Sequence, residues 1–219
     1  MCGYFGNLHE SPAVIDLLNQ LNIPLPYPIT QAYQRRIVPG LVTQKDGSYT
    51  CTDAMWWYAL RKENDRLIPN EKLTSFNARD LDKPLWKNAS KTRRAIVFAT
   101  EIGESQGKDK YLMRSEEGFA LGCLYKDWED GKGNQVRSFA VITRAPHERF
   151  SKYHEKSTPF FLPLDKSVLQ EWLDPSIESS VLIDELLDRP RLTSDLQVAK
   201  VKTYKNPTGF DSSALLTAD

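Results

Sequence analysis

Apolar positions along this chain change period several times, and each change marks an element. Ser11-Pro12 followed by Val14, Leu17, Leu18 and Leu21 repeats at helical spacing, with Ser11 as cap and Pro12 in the first turn, and predicts a short amphipathic helix. Pro24, Pro26 and Pro28 then force an extended path. Apolar runs at Ile37 to Val42 and Thr50 to Leu60 flank the turn Lys45-Asp46-Gly47 and predict two strands. Arg61 to Glu71 is polar and predicts a loop. Ala95 to Glu101 is a continuous apolar run with strand character that leads into Ile102-Gly103-Glu104. Tyr111 to Met113, Phe119 to Tyr125 and Val136 to Thr143 predict three more strands, the last two joined at Gly131-Lys132-Gly133-Asn134. A short polar helix is predicted over Ala145 to Lys152, and two helices over Asp165 to Leu173 and Ile177 to Leu187, broken by Asp174-Pro175. A last strand, Leu196 to Tyr204, precedes a loosely held tail. About eight strands and three or four helices in mixed order predict an α+β class: a curled or barrel-like, mainly antiparallel sheet with peripheral helices. One domain over residues 1–204 and a tail over 205–219 accommodate this length.

Composition narrows the chemistry. The chain balances 29 basic against 29 acidic residues, so any nucleic-acid site must be a local patch. Its three cysteines, Cys2, Cys51 and Cys123, are odd in number and far apart, which fits a reduced compartment better than a disulfide framework or a zinc site. No His-Glu-x-x-His or comparable spacing supports a metal, and no dinucleotide or phosphate-binding glycine loop supports a cofactor. Nothing resembles a signal peptide or a membrane-spanning run, so the expectation is a cytoplasmic monomer without membrane contact.

The candidate chemistry begins at Met1-Cys2-Gly3-Tyr4-Phe5-Gly6. Removal of Met1, which a side chain as small as that of Cys2 permits, leaves an α-amine and a thiol on one residue, with ordinary pKa values of roughly 8 and 8.5. Such a pair can form a Schiff base with an aldehyde and close it into a thiazolidine, or attack an amide carbonyl. The bland reading is a small buried cysteine. Asn77 offers a donor and an acceptor and Arg79 a phosphate-shaped fork, although an Asn-x-Arg stretch is more often a solvated loop. Glu101 and Glu104 lie three apart in a strand, so only one of them faces a given pocket. His154 is either a surface histidine or a general acid or base, while His9 and His147 have less context. Trp56 and Trp57 are core by default, but an exposed indole could stack on a base.

These residues, in this order, resemble the SRAP family, the SOS response-associated peptidases. The similarity runs from Met1-Cys2-Gly3 through Met55-Trp56-Trp57-Tyr58-Ala59-Leu60, Asn77-Ala78-Arg79 and the strand ending in Glu104. It continues through Phe139-Ala140-Val141-Ile142-Thr143, His154, Pro159 and Glu171-Trp172-Leu173-Asp174-Pro175, to about Val201. The resemblance implies a single domain that binds single-stranded DNA and crosslinks to abasic sites through a thiazolidine on Cys2, after autocatalytic loss of methionine. It implies Cys2 as nucleophile, Asn77 as orienting group, Glu104 as proton shuttle and His154 as acid and base in ring opening and the Schiff-base steps. On this reading the expected DNA contacts are Arg79, Trp56 or Trp57, Tyr4 and Lys156, with Arg35 and Arg36 as further candidates, and the expected location is nucleoid-associated when bound.

The chain is a divergent member of that pattern. Tyr4 stands where the family usually has arginine, and Glu101-Ile102-Gly103-Glu104-Ser105 replaces Gly-Phe-Tyr-Glu-Trp. His154-Glu155-Lys156-Ser157-Thr158-Pro159 replaces His-x-Arg-Met-Pro. Loss of two arginines weakens backbone contacts, since each neutralised phosphate adds affinity through counterion release. Two alternatives stand beside this reading. The first six residues also resemble class II glutamine amidotransferases, although the arginine, Asn-Gly and Gly-Asp elements that hold glutamine there are missing. A non-catalytic single-stranded DNA-binding module would account for the neutral charge.

Overall fold

In the computed structural model, which describes residues 3–205 and 210–219, local caps and turns set most elements where their sequence signals lie. Strand β1 (Tyr4–Asn7) leads to helix α1 (Pro12–Gln20), whose Ser11 cap accepts the Val14 amide at 3.3 Å and whose buried stripe is Val14, Leu17 and Leu18. Strand β2 (Thr30–Tyr33) returns along β1. Strands β3 (Ile37–Lys45) and β4 (Ser48–Trp56) form a hairpin closed by Asp46 and Gly47, both at positive φ.

The stretch from Arg61 to Glu71 is mostly not the expected loop. It contains an antiparallel ribbon, β5 (Leu60–Glu63) and β6 (Arg66–Pro69), closed by Asn64 and Asp65 at φ 46° and 62°. Its apolar residues Leu67, Ile68 and Pro69 form a half-buried run without alternation, so no period-2 pattern betrays it; the Asn-Asp turn was the available signal. The two-residue β7 (Asn77–Ala78) and the unforeseen helix α2 (Lys87–Thr92), which buries only Ala89, follow.

Three long strands carry the fold: β8 (Arg94–Gln106), β9 (Asp109–Glu129) and β10 (Gln135–Arg144). Strand β9 unites two stretches expected as separate, and its ladder with β8 shifts register between Ala99 and Glu101. Residues 145–152, expected as a helix, form turns in which Phe150 and Ser151 donate back to the His147 carbonyl, and Tyr153 and His154 to that of Phe150, without a continuous helical ladder. Short strands β11 (Thr158–Pro159) and β12 (Phe161–Leu162) lead to helices α3 (Lys166–Leu173) and α4 (Val181–Asp188). Helix α4 starts at Val181, later than expected, because Ser180 supplies its cap by accepting the Ile183 amide at 3.1 Å. Strand β13 (Leu196–Val201) then pairs with β14 (Ala214–Leu216). Asp219 accepts the Leu192 amide at 2.8 Å and pairs with Arg149, so residues 210–219 are tied into the sheet.

Pairings of β8 with β9, β9 with β10, β10 with β4, β4 with β3 and β3 with β8 bend the sheet into a ring. Two seams are short: β10 meets β4 in a parallel pair of contacts at Ser138 and Phe139, and β3 meets β8 at Val42 and Ile96. The result is an α+β fold with a ring of strands rather than a clean barrel. Alternate residues fill its two sides. Phe5, Val97, Ile102, Met113, Cys123, Phe139 and Val141 pack inside, while Ile96, Phe98, Leu124, Ala140 and Ile142 meet the helices outside. Among the described residues, no helix is long and apolar enough to cross a membrane.

Candidate active site

The amino-terminal strand is the starting point, because Cys2 is bonded to its first described neighbour. Cys2 itself lies outside the described residues. Strand β1 pairs with β8 through Tyr4 and Gly103, Phe5 and Ile102, and Gly6 and Glu101. Continued by one residue, that register sets position 3 opposite Glu104, and consecutive Cα atoms are about 3.8 Å apart. Residue 3, to which Cys2 is bonded, therefore meets the end of β8 that carries Glu104.

Pleat parity decides which glutamate faces inward. Ile102 belongs to the ring interior, so Glu104 points the same way and Glu101 points out. Glu104 is 1 % exposed, and burial pushes its carboxyl up to about 7. Its Oε2 lies 3.6 Å from Nδ1 of His154. Tyr111, opposite Glu104 on β9, packs edge-on against Tyr153 with ring centroids 5.0 Å apart, and so borders the pair.

The loop that brings His154 is stitched to β8. The His154 amide donates to Phe150, Glu155 donates its amide to the Gln106 side chain at 3.0 Å, and Nδ1 of His154 lies 2.8 Å from the Ser105 carbonyl. A carbonyl only accepts, so Nδ1 carries the proton and Nε2 keeps the basic lone pair in the neutral ring. Burial holds the imidazole below its ordinary pKa, with Lys156 adding in the same direction, and the ring is neutral at pH 7.

Asn77 reaches the same side by a different route. Strand β7 runs parallel to β10 with Asn77 at Val141 and Ala78 at Ile142. Val141 is interior and Ile142 is exterior, so the Asn77 side chain faces inward with Glu104 while Ala78 joins the outer layer.

Glu101, on the other face, is bound up in a separate cluster. Tyr4 donates its hydroxyl to Glu101 Oε1, and Arg114, opposite Glu101 on β9, donates Nε to Oε2 at 2.8 Å. Burial and the adjoining carboxylate push the Tyr4 phenol far above its usual pKa. Tyr204 stacks on Tyr4 at 5.2 Å and donates to the Glu104 carbonyl at 2.6 Å. Its ring lies 2.7 Å from where a Cβ on Gly103 would sit, so any side chain there would have to displace the ring. Tyr204 was expected only as the end of a strand; no local signal places it over a strand some hundred residues away.

The expected DNA-contacting residues divide. Arg79 and Lys156 are exposed, as are Arg35 and Arg36. Trp56 and Trp57 are 0 % and 1 % exposed and cannot offer a ring face to a base in this fold. Trp56 stacks on Phe139 and donates to the Phe76 carbonyl at 2.9 Å; Trp57 stacks on Phe76 beneath the Arg35 guanidinium. Tyr4 is likewise buried, so it neither stacks on nor donates to DNA here.

Comparison with known proteins places this geometry. The profile of the SOS response associated peptidase (SRAP) family matches residues 1–207. The chain belongs to the SRAP family. Abasic site processing protein YoqW of Bacillus subtilis (strain 168) is 24 % identical over 229 residues, covering 99 % of both chains. Abasic site processing protein YobE of the same organism is 22 % identical, covering 94 % of this chain and 96 % of its own. A phage-related protein of Bordetella bronchiseptica shares the fold at a TM-score of 0.64 and 18 % identity, over 92 % of this chain and 95 % of its own. A Bacteroides thetaiotaomicron protein does so at 0.63 and 17 %, over 90 % and 92 %. A match over residues 1–207 outweighs the six-residue likeness to amidotransferases.

Proposed function

We propose that this SRAP protein processes abasic sites in single-stranded DNA by covalent capture on Cys2 after loss of Met1. The observation that carries the reading is the buried Glu104–His154 pair, 3.6 Å apart, on the strand end that the register of β1 sets beside residue 3. The family and the relatives named for abasic-site processing support the substrate.

In this reading the α-amine adds to the C1′ aldehyde of the ring-opened sugar, water leaves to give a Schiff base, and the thiol adds across the C=N bond to close a thiazolidine. Each step moves a proton. Glu104, with a pKa of about 7, is populated both as acid and as base near neutrality and can shuttle protons at the amine and the departing water. Neutral His154 presents Nε2 as a base for the hydroxyl proton that moves when the sugar ring opens. Asn77 faces the same interior and orients the sugar or the amine. Arg79 and Lys156, both exposed, are the proposed phosphate contacts, and the surroundings are those of a cytoplasmic monomer that meets the nucleoid through DNA.

The test is a denaturing gel of Met1-processed protein with an oligonucleotide bearing one abasic site, with Cys2→Ala and an undamaged strand as controls. The expected result is a heat-stable band that requires both Cys2 and the lesion. Salt-sensitive binding of the intact strand without any such band would favour a bare binding module instead.

A further inference from the structure

The cluster on the outer face of β1 is built from groups that the chemistry above does not use. Glu101 is a buried carboxylate flanked by the Tyr4 hydroxyl and the Arg114 guanidinium. Burying a charge is costly unless it is paired and hydrogen-bonded, and here its partners come from two different strands. Strand β1 has only four residues, so few backbone bonds hold its register. Capture needs the amine held within about 3 Å of its partners, and a misplacement of about 1 Å can lose on the order of a hundredfold in rate.

Register is the weak point of so short a strand. A one-residue slip would turn Phe5 out of the core and is excluded by burial. A two-residue slip keeps every side chain on its face, and would set residue 3 opposite Ile102 or Gln106 instead of Glu104. The outer cluster opposes it. In the native register Gly6 lies opposite Glu101, where a Cβ would sit 3.0 Å from the carboxylate, and Gly103 lies opposite Tyr4. Either two-residue slip sets the side chain of Tyr4 or Leu8 opposite Glu101, where a Cβ meets the carboxylate at 3.0 Å and the carboxylate must give way, and breaks the diagonal Tyr4–Glu101 hydrogen bond. Tyr204 adds a stack on the same ring.

We propose that Tyr4 and Glu101, braced by Arg114, are positioning residues for the amino-terminal nucleophile: they lock β1 in the one register that sets residue 3 opposite Glu104. The proposal rests on the covalent-capture reading for its functional consequence. It gives Tyr4 a role in the protein rather than on the DNA.

Tyr4→Phe removes the hydroxyl and keeps the stacked ring; Glu101→Gln removes the charge and keeps the shape. Both are measured in Met1-processed protein for single-turnover crosslinking over a range of strand concentrations and pH, and for amide hydrogen exchange of residues 4–7. The expected result is a maximal rate lower by on the order of tenfold, with half-saturating strand concentration and the pH of the inflection unchanged. Exchange at residues 4–7 rises in both variants, and the double variant is no slower than the worse single one. A half-saturating concentration that rises in step with the loss would make Tyr4 a DNA contact, and a moved inflection would make it part of the chemistry; either overturns the proposal. If wild type itself forms no adduct, the capture reading fails, and exchange alone decides the lock: unchanged protection in both variants refutes it.

Discussion

Glu104→Gln offers a way to measure what the fold expends to hold a carboxyl in the interior. The unfolded chain releases the Glu104 proton near 4.5, whereas burial keeps it on the folded protein up to about pH 7. Unfolding therefore releases a proton between those values, and stability falls as pH rises through them. The two values differ by roughly 3 kcal/mol in the free energy of ionising the group. Glutamine has the same shape and never ionises. The variant should exceed wild type by less than about 1 kcal/mol at pH 5 and by roughly 3 kcal/mol at pH 8. In a chain of this length that is a rise of about 5–10 °C in thermal midpoint at the higher pH. Urea unfolding of both proteins at pH 5, 6, 7 and 8 gives the curve directly. A gain that is flat with pH would mean that glutamine merely packs better, and no gain at pH 8 would mean that the carboxylate is well solvated; either result refutes the argument from burial. The same variant should form no lesion-dependent adduct, so the position would trade stability for chemistry.

Other outcomes follow from the same geometry. The rate of Cys2-dependent adduct formation should show an inflection near pH 7, set by Glu104, in a pH–rate profile. Arg94 is buried and donates to the carbonyls of Ser90, Lys91, Trp172, Asp174 and Ile177, tying the ends of α2 and α3 to β8. Arg94→Met should lose about 3–5 kcal/mol in urea unfolding, because it strands several buried carbonyls at once. Gly103→Ala should lose about 1–3 kcal/mol, since its Cβ would meet the Tyr204 ring at 2.7 Å, and most of that loss should vanish in a Tyr204→Ala background. A Gly103→Ala penalty that persists without Tyr204 would disprove the clash as its cause.

Helices α1 and α3 were legible because their determinants are local: a capping Ser11 or Asp165 acts on an amide three residues on, and the buried stripe repeats at helical spacing. The hairpin at Asp46-Gly47 and the strand character of β8, β9 and β10 were legible for the same reason. The candidate set Cys2, Asn77, Glu104 and His154 came from residue chemistry and from motif order along the chain. Helix α2 escaped because an exposed polar element has no apolar face to advertise, and the β5–β6 ribbon because its short apolar run does not alternate.

Only the tertiary structure could show that Glu104 faces the interior and Glu101 the other side. The two are equivalent as neighbours in sequence, and what separates them is which face of β8 turns toward the core and what the facing strands present to each. It likewise took Trp56, Trp57 and Tyr4 off the surface, because an aromatic-rich strand is compatible with either a solvent face or an interior until its neighbours are known. Tyr204 and Arg114 entered the picture the same way. Composition and local spacing act over a few residues and fix which chemistry and which elements are available; long-range pairing of β1, β8 and β9 decides which of those groups meet.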